Sequence, residues 1–389
     1  MFLLESYSIA VCFCFITMLC WGSWGNAQKA AGKTWRFELF YWDYVIGVLL
    51  TALVFAFTLG SQGEFGRSFA ADIQQAAPAA LWSAFLGGVV FNAANILLVA
   101  AIAIAGMAVA FPVGIGLALI LGVALNYFAD QAGNPVLLAS GVALVAFAII
   151  VNAAAYGKLP KSEQIGASKT KGIVLALVCG ILMSTFYYFV AQSLAKVEVP
   201  KAVAEVEVLD AAELVGEAES SPETDLAVEK VSVEMSENTE LRDVTYSNLA
   251  IKGAKLESGK LTPYSANVVF ALGIFLSSFV VVTFCQLKPF VGEPVSPLAF
   301  FRGSFREHFW GWIGGAIWAV GMTLNVVAAG VASPAISYGL GQGATLVAAI
   351  WGVFIWREFR EAPKGTGKQL FVMFLAFVLG IALIIAAKL

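Results

Sequence analysis

The chain has 389 residues, of which 60% are hydrophobic and only 13% are charged. Soluble domains carry about 45 to 50% apolar and about 25% charged residues, so this composition excludes an ordinary soluble protein. Because a membrane-spanning helix needs about 20 apolar residues, the chain has room for ten such helices, their loops and one sizeable insertion. The class that fits is a polytopic membrane protein.

Ten apolar runs, taken in chain order, predict ten transmembrane helices, which we number spans 1 to 10. They are Tyr7–Gly25, Leu39–Gly60, Ala79–Ala103, Met107–Phe128, Pro135–Tyr156, Gly172–Leu194, Tyr264–Leu287, Phe309–Gly330, Pro334–Trp356 and Leu370–Ala387. Spans 3 and 4 nearly abut, but together they are too long for a single crossing. We therefore predict a tight helical hairpin there.

The charged residues are divided between the membrane part and one acidic insert, residues 196–263. This insert holds 15 of the 26 acidic and 7 of the 23 basic residues, so the rest of the chain has a net charge of +5. With one aromatic residue, Tyr246, it cannot bury a core, and we expect it to be disordered or loosely helical. The alternation across Val197–Val208 also permits a short strand or a short amphipathic segment. The insert is either a solvated linker or a surface that binds a partner or gathers ions.

Lys and Arg are concentrated in the connections after spans 1, 5, 7 and 9. These residues are Lys29, Lys33, Arg36, Lys158, Lys161, Lys169, Lys171, Lys288, Arg302, Arg306, Arg357, Arg360, Lys364 and Lys368. The opposite side, apart from the insert, has Arg67 and Lys388. Because cytoplasmic loops are enriched in Lys and Arg, we expect both termini and the insert to be extracytoplasmic. The expected location is the plasma membrane, or the inner membrane in a diderm bacterium.

Two glycine pairs indicate an internal repeat. Gly87-Gly88 precedes Gly114-Ile115-Gly116 by the same interval that separates Gly314-Gly315 from Gly341-Gln342-Gly343. Since five is odd, two five-helix halves in one chain must be oppositely oriented. We predict an all-α membrane protein whose ten transmembrane helices form a 5+5 inverted repeat. Its parts are a first half (1–157), a cytoplasmic connection (158–171), span 6 (172–195), the insert, and residues 264–389, which complete the second half.

The middles of the predicted spans contain no Asp, Glu, Lys or Arg. Ionisable residues inside a membrane mark ion paths and sites for charged substrates, so this pattern favours a small neutral polar solute. Uncharged polar groups are present at that depth, notably Asn92, Asn95, Asn325, Tyr338 and Gln342. Such groups either bond between helices or face a water-filled cavity, so we treat these five as candidate solute contacts.

Aromatic residues flank the connection between spans 1 and 2. Trp21 and Trp24 form either part of an aromatic belt at the headgroups or the walls of a solute site. Asp43 lies about 6 Å into span 2 if the helix starts near Leu39. Its carboxylate either takes up protons, which makes it a candidate for proton coupling, or caps the helix or pairs with Lys33 or Arg36.

Glycine and proline interrupt spans 4 and 9 at comparable places. The interrupting residues are Pro112, Gly114 and Gly116 in span 4, and Pro334, Gly339, Gly341 and Gly343 in span 9. Broken helices at matching positions of two halves point to the central site of a transporter, and they are also candidate gating elements. Close helix packing alone would also explain these residues.

The sequence offers little equipment for catalysis. The one histidine, His308, has no second His, Cys or paired acid at catalytic spacing, and the five cysteines all fall in apolar runs without metal-ligand spacing. We therefore expect neither an enzyme nor a metal site. We also expect no cofactor and no nucleic-acid partner.

Several residues, in order along the chain, resemble the ureide permease family. They are Gly22 and Trp24 in span 1, Asp43-Tyr44 in span 2, Asn95 in span 3, Leu125-Asn126-Tyr127-Phe128 and Asp130 at span 4, and Trp351-Gly352-Val353 and Glu358 at span 9. The resemblance implies a ten-helix inverted-repeat carrier of the drug/metabolite transporter superfamily, which also includes the rhamnose and glucose uptake porters. Plant members take up allantoin and related ureides or nucleobases, with proton coupling.

The chain departs from the plant pattern in two places. Its connection between spans 5 and 6, residues 157–171, is short where plant members carry a long segment with a nucleotide-binding-like motif. Its long insert instead follows span 6. These departures argue against an ATP-related role, and the plant substrates are not carried over to this chain.

The sequence is therefore interpreted as a secondary transporter for a ureide, nucleobase or sugar. Two other interpretations stay open. One is an exporter of metabolites or drugs from the same superfamily, and the other is a non-transporting membrane scaffold that recruits a partner through the insert.

Overall fold

The structure, a computed structural model, describes most of the chain. The described residues are 1–2, 4, 6–32, 35–63, 66–159, 169–200, 239–244 and 255–389. Most of the predicted connection 158–171 and of the acidic insert lies outside them, as do Lys33 and Tyr246. The expectations for those segments remain predictions.

Ten helices in the described part of the chain are long and apolar enough to cross a membrane. They are Tyr7–Ala31, Phe37–Phe57, Pro78–Ala105, Phe111–Ala129, Pro135–Tyr156, Thr170–Ser193, Pro263–Leu287, Phe305–Ala332, Pro334–Ile355 and Thr366–Ala386. They correspond one to one with spans 1 to 10, so the predicted number of spans and the predominantly helical fold are confirmed.

The hairpin between spans 3 and 4 turns at a glycine. Gly106 ends span 3 with φ 78°, a conformation that glycine adopts without steric cost. A short helix, Met107–Ala110, follows, and span 4 then begins with a π-helical segment, Phe111–Gly116, before its α-helix Leu117–Ala129. Span 4 therefore becomes regular later than the predicted start at Met107.

Spans 8 and 9 form a second tight hairpin. Ser333 lies between them with φ 85°, and its hydroxyl oxygen accepts a hydrogen bond from the Ile336 backbone N–H. Span 9 itself consists of helices Pro334–Gly341 and Ala344–Ile350 and a π-helical segment, Trp351–Ile355. The positive φ of Ser333, combined with an extended ψ of 154°, costs about 1 to 3 kcal/mol, and the serine N-cap partly offsets that cost.

Shorter elements complete the fold. Span 1 is divided at Trp24 into helices Tyr7–Ser23 and Gly25–Ala31, and the other short helices are Phe69–Gln75 and the 3₁₀ turn Pro297–Arg302. The insert contributes a small antiparallel sheet. Its strands are β1 (Val197–Pro200), β2 (Thr239–Val244) and β3 (Lys255–Leu256), in the order β2-β1-β3. β1 occupies the beginning of the alternating stretch Val197–Val208.

The C-terminal end of the insert is tied to the connection between spans 2 and 3. Arg67 pairs with buried Asp72 at 2.8 Å and also donates to the carbonyls of Glu257 and Lys260. The other Asp72 oxygen accepts from the Thr262 backbone N–H at 2.7 Å. This part of the insert is therefore built into the protein.

Glycines let two pairs of spans approach to backbone contact. A Cβ added at Gly315 would lie 2.0 Å from the Tyr44 carbonyl oxygen, and one at Gly47 would lie 2.3 Å from that of Trp312, so spans 2 and 8 touch. Gly88 and Gly273 bring spans 3 and 7 together in the same way, each facing a backbone carbonyl of the other span. Small residues permit such contacts where lipid removes the hydrophobic driving force between helices.

We expect Gly315→Ala to destabilise the protein by about 1 to 3 kcal/mol or more, because the new methyl group overlaps backbone that cannot move away. Gly367→Ala is the matched control, because its added Cβ meets nothing within 4 Å and alanine favours the helix. Thermal unfolding in detergent compares the two variants. Equal melting temperatures would contradict the close contact of spans 2 and 8.

Candidate functional site

A continuous cluster of aromatic rings fills the middle of the helix bundle. We call it the aromatic core, and it consists of Trp21, Trp24, Tyr41, Tyr44, Phe91, Phe186, Tyr187, Phe270, Trp318 and Tyr338. Trp318 is central: its ring centroid lies 4.5 Å from that of Phe91, 5.8 Å from Trp21 and 6.0 Å from Phe270. Seven spans contribute to this core, which closes the centre of the bundle.

Trp21, Asn325 and Gly341 meet beside the aromatic core. The Trp21 indole N–H donates to the Trp318 carbonyl at 3.3 Å. The Asn325 amide donates to the Ser337 carbonyl at 2.8 Å, and the Ser337 hydroxyl also lies 2.8 Å from that of Tyr187. A Cβ on Gly341 would lie 2.8 Å from the Trp21 ring and 3.1 Å from Asn325 Nδ2. Spans 1, 6, 8 and 9 therefore share one polar junction.

Tyr338 and Gln342 extend this junction along span 9. The Tyr338 hydroxyl donates to the carbonyls of Ala118 and Met183, at 3.1 and 3.2 Å. The Gln342 side chain, in contrast, has no hydrogen-bond partner among the described residues, although Gln342 is only 8% exposed. Its amide is therefore available to another group.

The two asparagines of span 3 make separate interhelical bonds. Asn92 donates to the hydroxyls of Ser277 and Ser278 in span 7 at 2.8 and 3.1 Å, while its own Oδ1 is buried without a partner. Asn95 donates to the Tyr41 hydroxyl in span 2 at 3.2 Å.

Trp24, the second predicted wall residue, packs against span 2. Its ring centroid lies 4.9 Å from that of Tyr44.

The residues predicted to break spans 4 and 9 have different surroundings. Pro112, Gly114 and Gly116 all lie in the π-helical segment, and an added Cβ meets nothing within 4 Å at Gly116. Gly343 instead abuts Met18 of span 1, at 2.7 Å from its added Cβ. Close packing therefore explains Gly341 and Gly343 but not Gly116.

Two cavities lie at opposite ends of the bundle. We call the end that carries the sheet the insert face and the opposite end the basic face. The insert-face cavity has a volume of about 360 Å³ and lies among the ends of spans 4, 6 and 8 and the start of span 9. Its lining includes Asn126, Asp130, Gln192 and Ser333.

The basic-face cavity has a volume of about 210 Å³. It lies among the end of span 1, the start of span 4, and the ends of spans 5 and 9, with Asn26, Asn152 and Trp351 in its lining. None of the predicted solute contacts lines either cavity. They lie in or beside the aromatic core instead.

Asp43 is fully buried and has two partners that the sequence analysis did not connect to it. Its Oδ1 lies 2.7 Å from Nδ1 of His308, and its Oδ2 accepts from the Trp35 indole N–H at 3.1 Å. The expectation that Arg36 pairs with Asp43 is wrong, because Arg36 instead pairs with Glu38 at 2.7 Å. Lys33 lies outside the described residues.

The view of His308 as a residue without a paired acid is also wrong. Asp43 and His308 meet because Gly311, one turn after His308, lets span 8 close onto span 2; an added Cβ there would lie 2.1 Å from that of Asp43. The His308 side chain is 17% exposed, so it connects the buried carboxylate with the basic face. In the described parts of the chain, no group of three or more His, Cys, Asp or Glu could hold a metal ion.

Comparisons with known proteins point to one family. The ureide permease family model matches residues 40–171. Ureide permease 2 of Arabidopsis thaliana is 23% identical over 422 residues, covering 100% of this chain and 99% of that protein. Ureide permease 1 and Ureide permease 5 of the same plant are 22% and 25% identical, and each aligns over at least 96% of its length. These relatives are named as permeases, which are transporters and not enzymes.

Solved structures share the fold. A protein crystal structure superposes with a TM-score of 0.51 at 15% identity, covering 97% of this chain and 96% of that chain. At this level of identity, the likeness concerns the fold alone.

We expect His308→Leu to destabilise the protein by about 1.5 to 3 kcal/mol, because it leaves the buried Asp43 carboxylate without one of its two partners. His308→Asn should lose less, since its amide can still donate near the position of Nδ1. Thermal unfolding at neutral pH measures both variants. If the two changes have equal effects, the hydrogen bond to Asp43 is not what His308 contributes.

Proposed function

We propose that the chain, which is similar to ureide permeases along its whole length and has ten candidate membrane spans, carries a small neutral polar solute by alternating access. Ureides, nucleobases and sugars are the candidate solutes. One observation carries the proposal: separate cavities lie at the opposite ends of spans 4 and 9, one at each face of the bundle.

A 5+5 inverted repeat of the drug/metabolite transporter type accounts for this arrangement. Gly88 and Phe91 in span 3 have counterparts in Gly315 and Trp318 of span 8, with the same spacing. Gly47 and Tyr44 in span 2 likewise correspond to Gly273 and Phe270 in span 7. The contacts obey the same correspondence. Span 2 touches span 8 through Gly47 and Gly315, and span 7, the counterpart of span 2, touches span 3, the counterpart of span 8, through Gly273 and Gly88.

The hairpins within each half support the same symmetry. Gly106, which joins spans 3 and 4, and Ser333, which joins spans 8 and 9, share the same backbone conformation, with a positive φ and an extended ψ. The rings of Phe91 and Trp318, which occupy corresponding positions, contact each other near the centre of the bundle. Halves related in this way can rock about the aromatic core and expose it to each face in turn.

The burial of charge supports a neutral solute. Among the described Asp, Glu, Lys and Arg residues, only Asp43 and Asp72 are buried, and only Asp43 lies within a span. Its carboxylate is already engaged by His308 and Trp35, so it is not a free counter-charge for an ionic solute. Amides and aromatic faces instead suit a neutral polar molecule.

The proposed solute contacts are the residues around the aromatic core. Trp21 and Trp24 would form its walls, and Asn92, Asn95, Asn325, Tyr338 and Gln342 would supply hydrogen bonds. Gln342 has a free amide, whereas the others would exchange interhelical bonds for solute bonds as the spans move. The glycines and Pro112 of spans 4 and 9 would permit that movement.

Asp43 and His308 are the proposed coupling pair. The partly exposed imidazole can pass a proton between the basic face and the buried carboxylate, and the pair links span 2 of the first half with span 8 of the second.

We assign the protein to the plasma membrane, with the basic face cytoplasmic and both termini extracytoplasmic, because Lys and Arg accumulate at the basic face.

An exporter of the same fold would differ only in the direction of net flux. A scaffold would depend on the insert, which a deletion within residues 201–238 would test. Such a deletion keeps β1 to β3 and the bonds of Arg67 and Asp72, so a carrier should retain its flux, whereas a scaffold should lose its function.

We expect purified protein in proteoliposomes to take up at least one of allantoin, uracil and glucose saturably, and faster when the side of entry is acidic. Asp43→Asn should abolish the acceleration by pH while leaving binding of the same solute, because the amide keeps the shape but carries no transferable proton. Glu361→Gln, which alters an exposed acid, is the control.

Radiolabelled uptake with and without a pH gradient measures both quantities. Unchanged pH dependence in Asp43→Asn would exclude this residue from coupling. If the wild type neither takes up nor is thermally stabilised by any of the three solutes, a carrier for these solute classes is excluded.

A further inference from the structure

The basic-face cavity contains a buried amide that has no hydrogen-bond partner among the described residues. Asn152 of span 5 is 6% exposed and lines this cavity. Its side chain makes no hydrogen bond with any described residue, and its Oδ1 is buried and unsatisfied. Leaving such a group unpaired costs stability, so its presence in a cavity indicates a role that packing does not explain.

Irregular helix segments border the same cavity. Phe111 begins the π-helical segment of span 4, and Trp351 and Gly352 begin that of span 9. π-Helical turns are rare and occur frequently at functional sites, because they displace side chains from regular helical positions. Two of them on one cavity of about 210 Å³ are a second, independent indication of a site.

A set of partly exposed bonds joins residues that line the cavity at the basic face. Glu358 accepts from the Tyr156 hydroxyl at 2.8 Å and pairs with Lys29 at 3.5 Å. The Trp356 indole donates to the Asn26 amide oxygen at 2.9 Å, and Lys29 lies over the Trp356 ring at 4.5 Å. We call this set the Glu358 latch. It joins spans 1 and 5 of the first half to the end of span 9.

The geometry around Glu358 is held by the backbone. Arg357 has φ 53°, a left-handed conformation that is unfavourable for a residue with a side chain. This turn directs the Glu358 side chain back towards Tyr156. The backbone N–H of Glu358 donates to the Gly352 carbonyl at 2.9 Å. Gly352 leaves room for the pair, since a Cβ there would lie 2.4 Å from the Tyr156 hydroxyl oxygen.

We infer that the basic-face cavity is a solute-binding station, with Asn152 as its recognition group and the Glu358 latch as its gate. This inference rests on the proposed carrier function and locates one of its stations outside the aromatic core. Each bond of the latch is individually weak, partly exposed or both, as a gate that opens repeatedly requires.

The lining defines the chemistry of the solute. An asparagine amide offers a donor and an acceptor side by side, and it therefore pairs best with an adjacent N–H and C=O. Trp351 and Trp356 provide flat apolar faces. The station therefore fits a planar neutral solute with amide or ureido groups better than a sugar.

The first test replaces the recognition group. Asn152→Leu should raise the apparent KM for allantoin or uracil uptake by about tenfold, because it removes the paired hydrogen bonds. It should also raise the melting temperature of the solute-free protein, because an unpaired buried amide is removed. Gln286→Met is the matched control: its amide oxygen is also buried and unpaired, but it lies in neither cavity, so the KM should not change.

The second test measures the gate without relying on flux. Ala348 lines the cavity, so the thiol of Ala348→Cys should react slowly with a membrane-impermeant maleimide added at the basic face, and more slowly still with bound solute. Glu358→Gln and Tyr156→Phe should each speed the labelling severalfold by weakening the latch. Protein without the added cysteine gives the blank for the native thiols.

The outcomes separate the two proposals. Normal uptake with an unchanged KM in Asn152→Leu overturns the station but leaves the carrier function intact. Labelling rates unaffected by Glu358→Gln and Tyr156→Phe overturn the gate. If the wild type shows no uptake and solute does not protect the thiol of Ala348→Cys, both the station and the carrier are overturned.

Discussion

The rest of the structure depends on direct backbone contact between neighbouring spans. In lipid these helices have no hydrophobic driving force to associate. Spans 2 and 8 touch through Gly47 and Gly315, and spans 3 and 7 through Gly88 and Gly273. Without Cβ atoms, these helices come close enough for dispersion and for short interhelical bonds to hold them together. The bond from Asn95 to Tyr41, between spans 3 and 2, and that from Asn267 to Thr323, between spans 7 and 8, belong to the same assembly.

This close approach also determines where solute can reside. The four glycine-bearing spans bring the rings of Tyr44, Phe91, Phe270 and Trp318 together, and these rings fill the centre of the bundle. Two cavities lie at the opposite ends of spans 4 and 9. A closed centre between two end cavities suits a carrier that opens this centre to each face in turn.

Hydropathy is sufficient to predict the ten spans because each crossing must be long and apolar. The equal spacing of the two glycine pairs also indicates an internal repeat from sequence alone. The partners of polar groups were not predictable. A buried Asn92 or Asp43 must find a hydrogen bond, but the sequence does not say with which residue; Asp43 and His308 are separated by 265 positions. The cavities and the Arg357 turn depend on three-dimensional packing and likewise carry no local signal.

Solute counterflow tests the central claim of alternating access most directly. Proteoliposomes would be loaded with an excess of the unlabelled solute that binds, then diluted into a trace of the labelled form. A carrier exchanges one for the other, so the label should accumulate transiently above its equilibrium level and then decline. Entry that is linear in concentration, with no overshoot, would contradict alternating access.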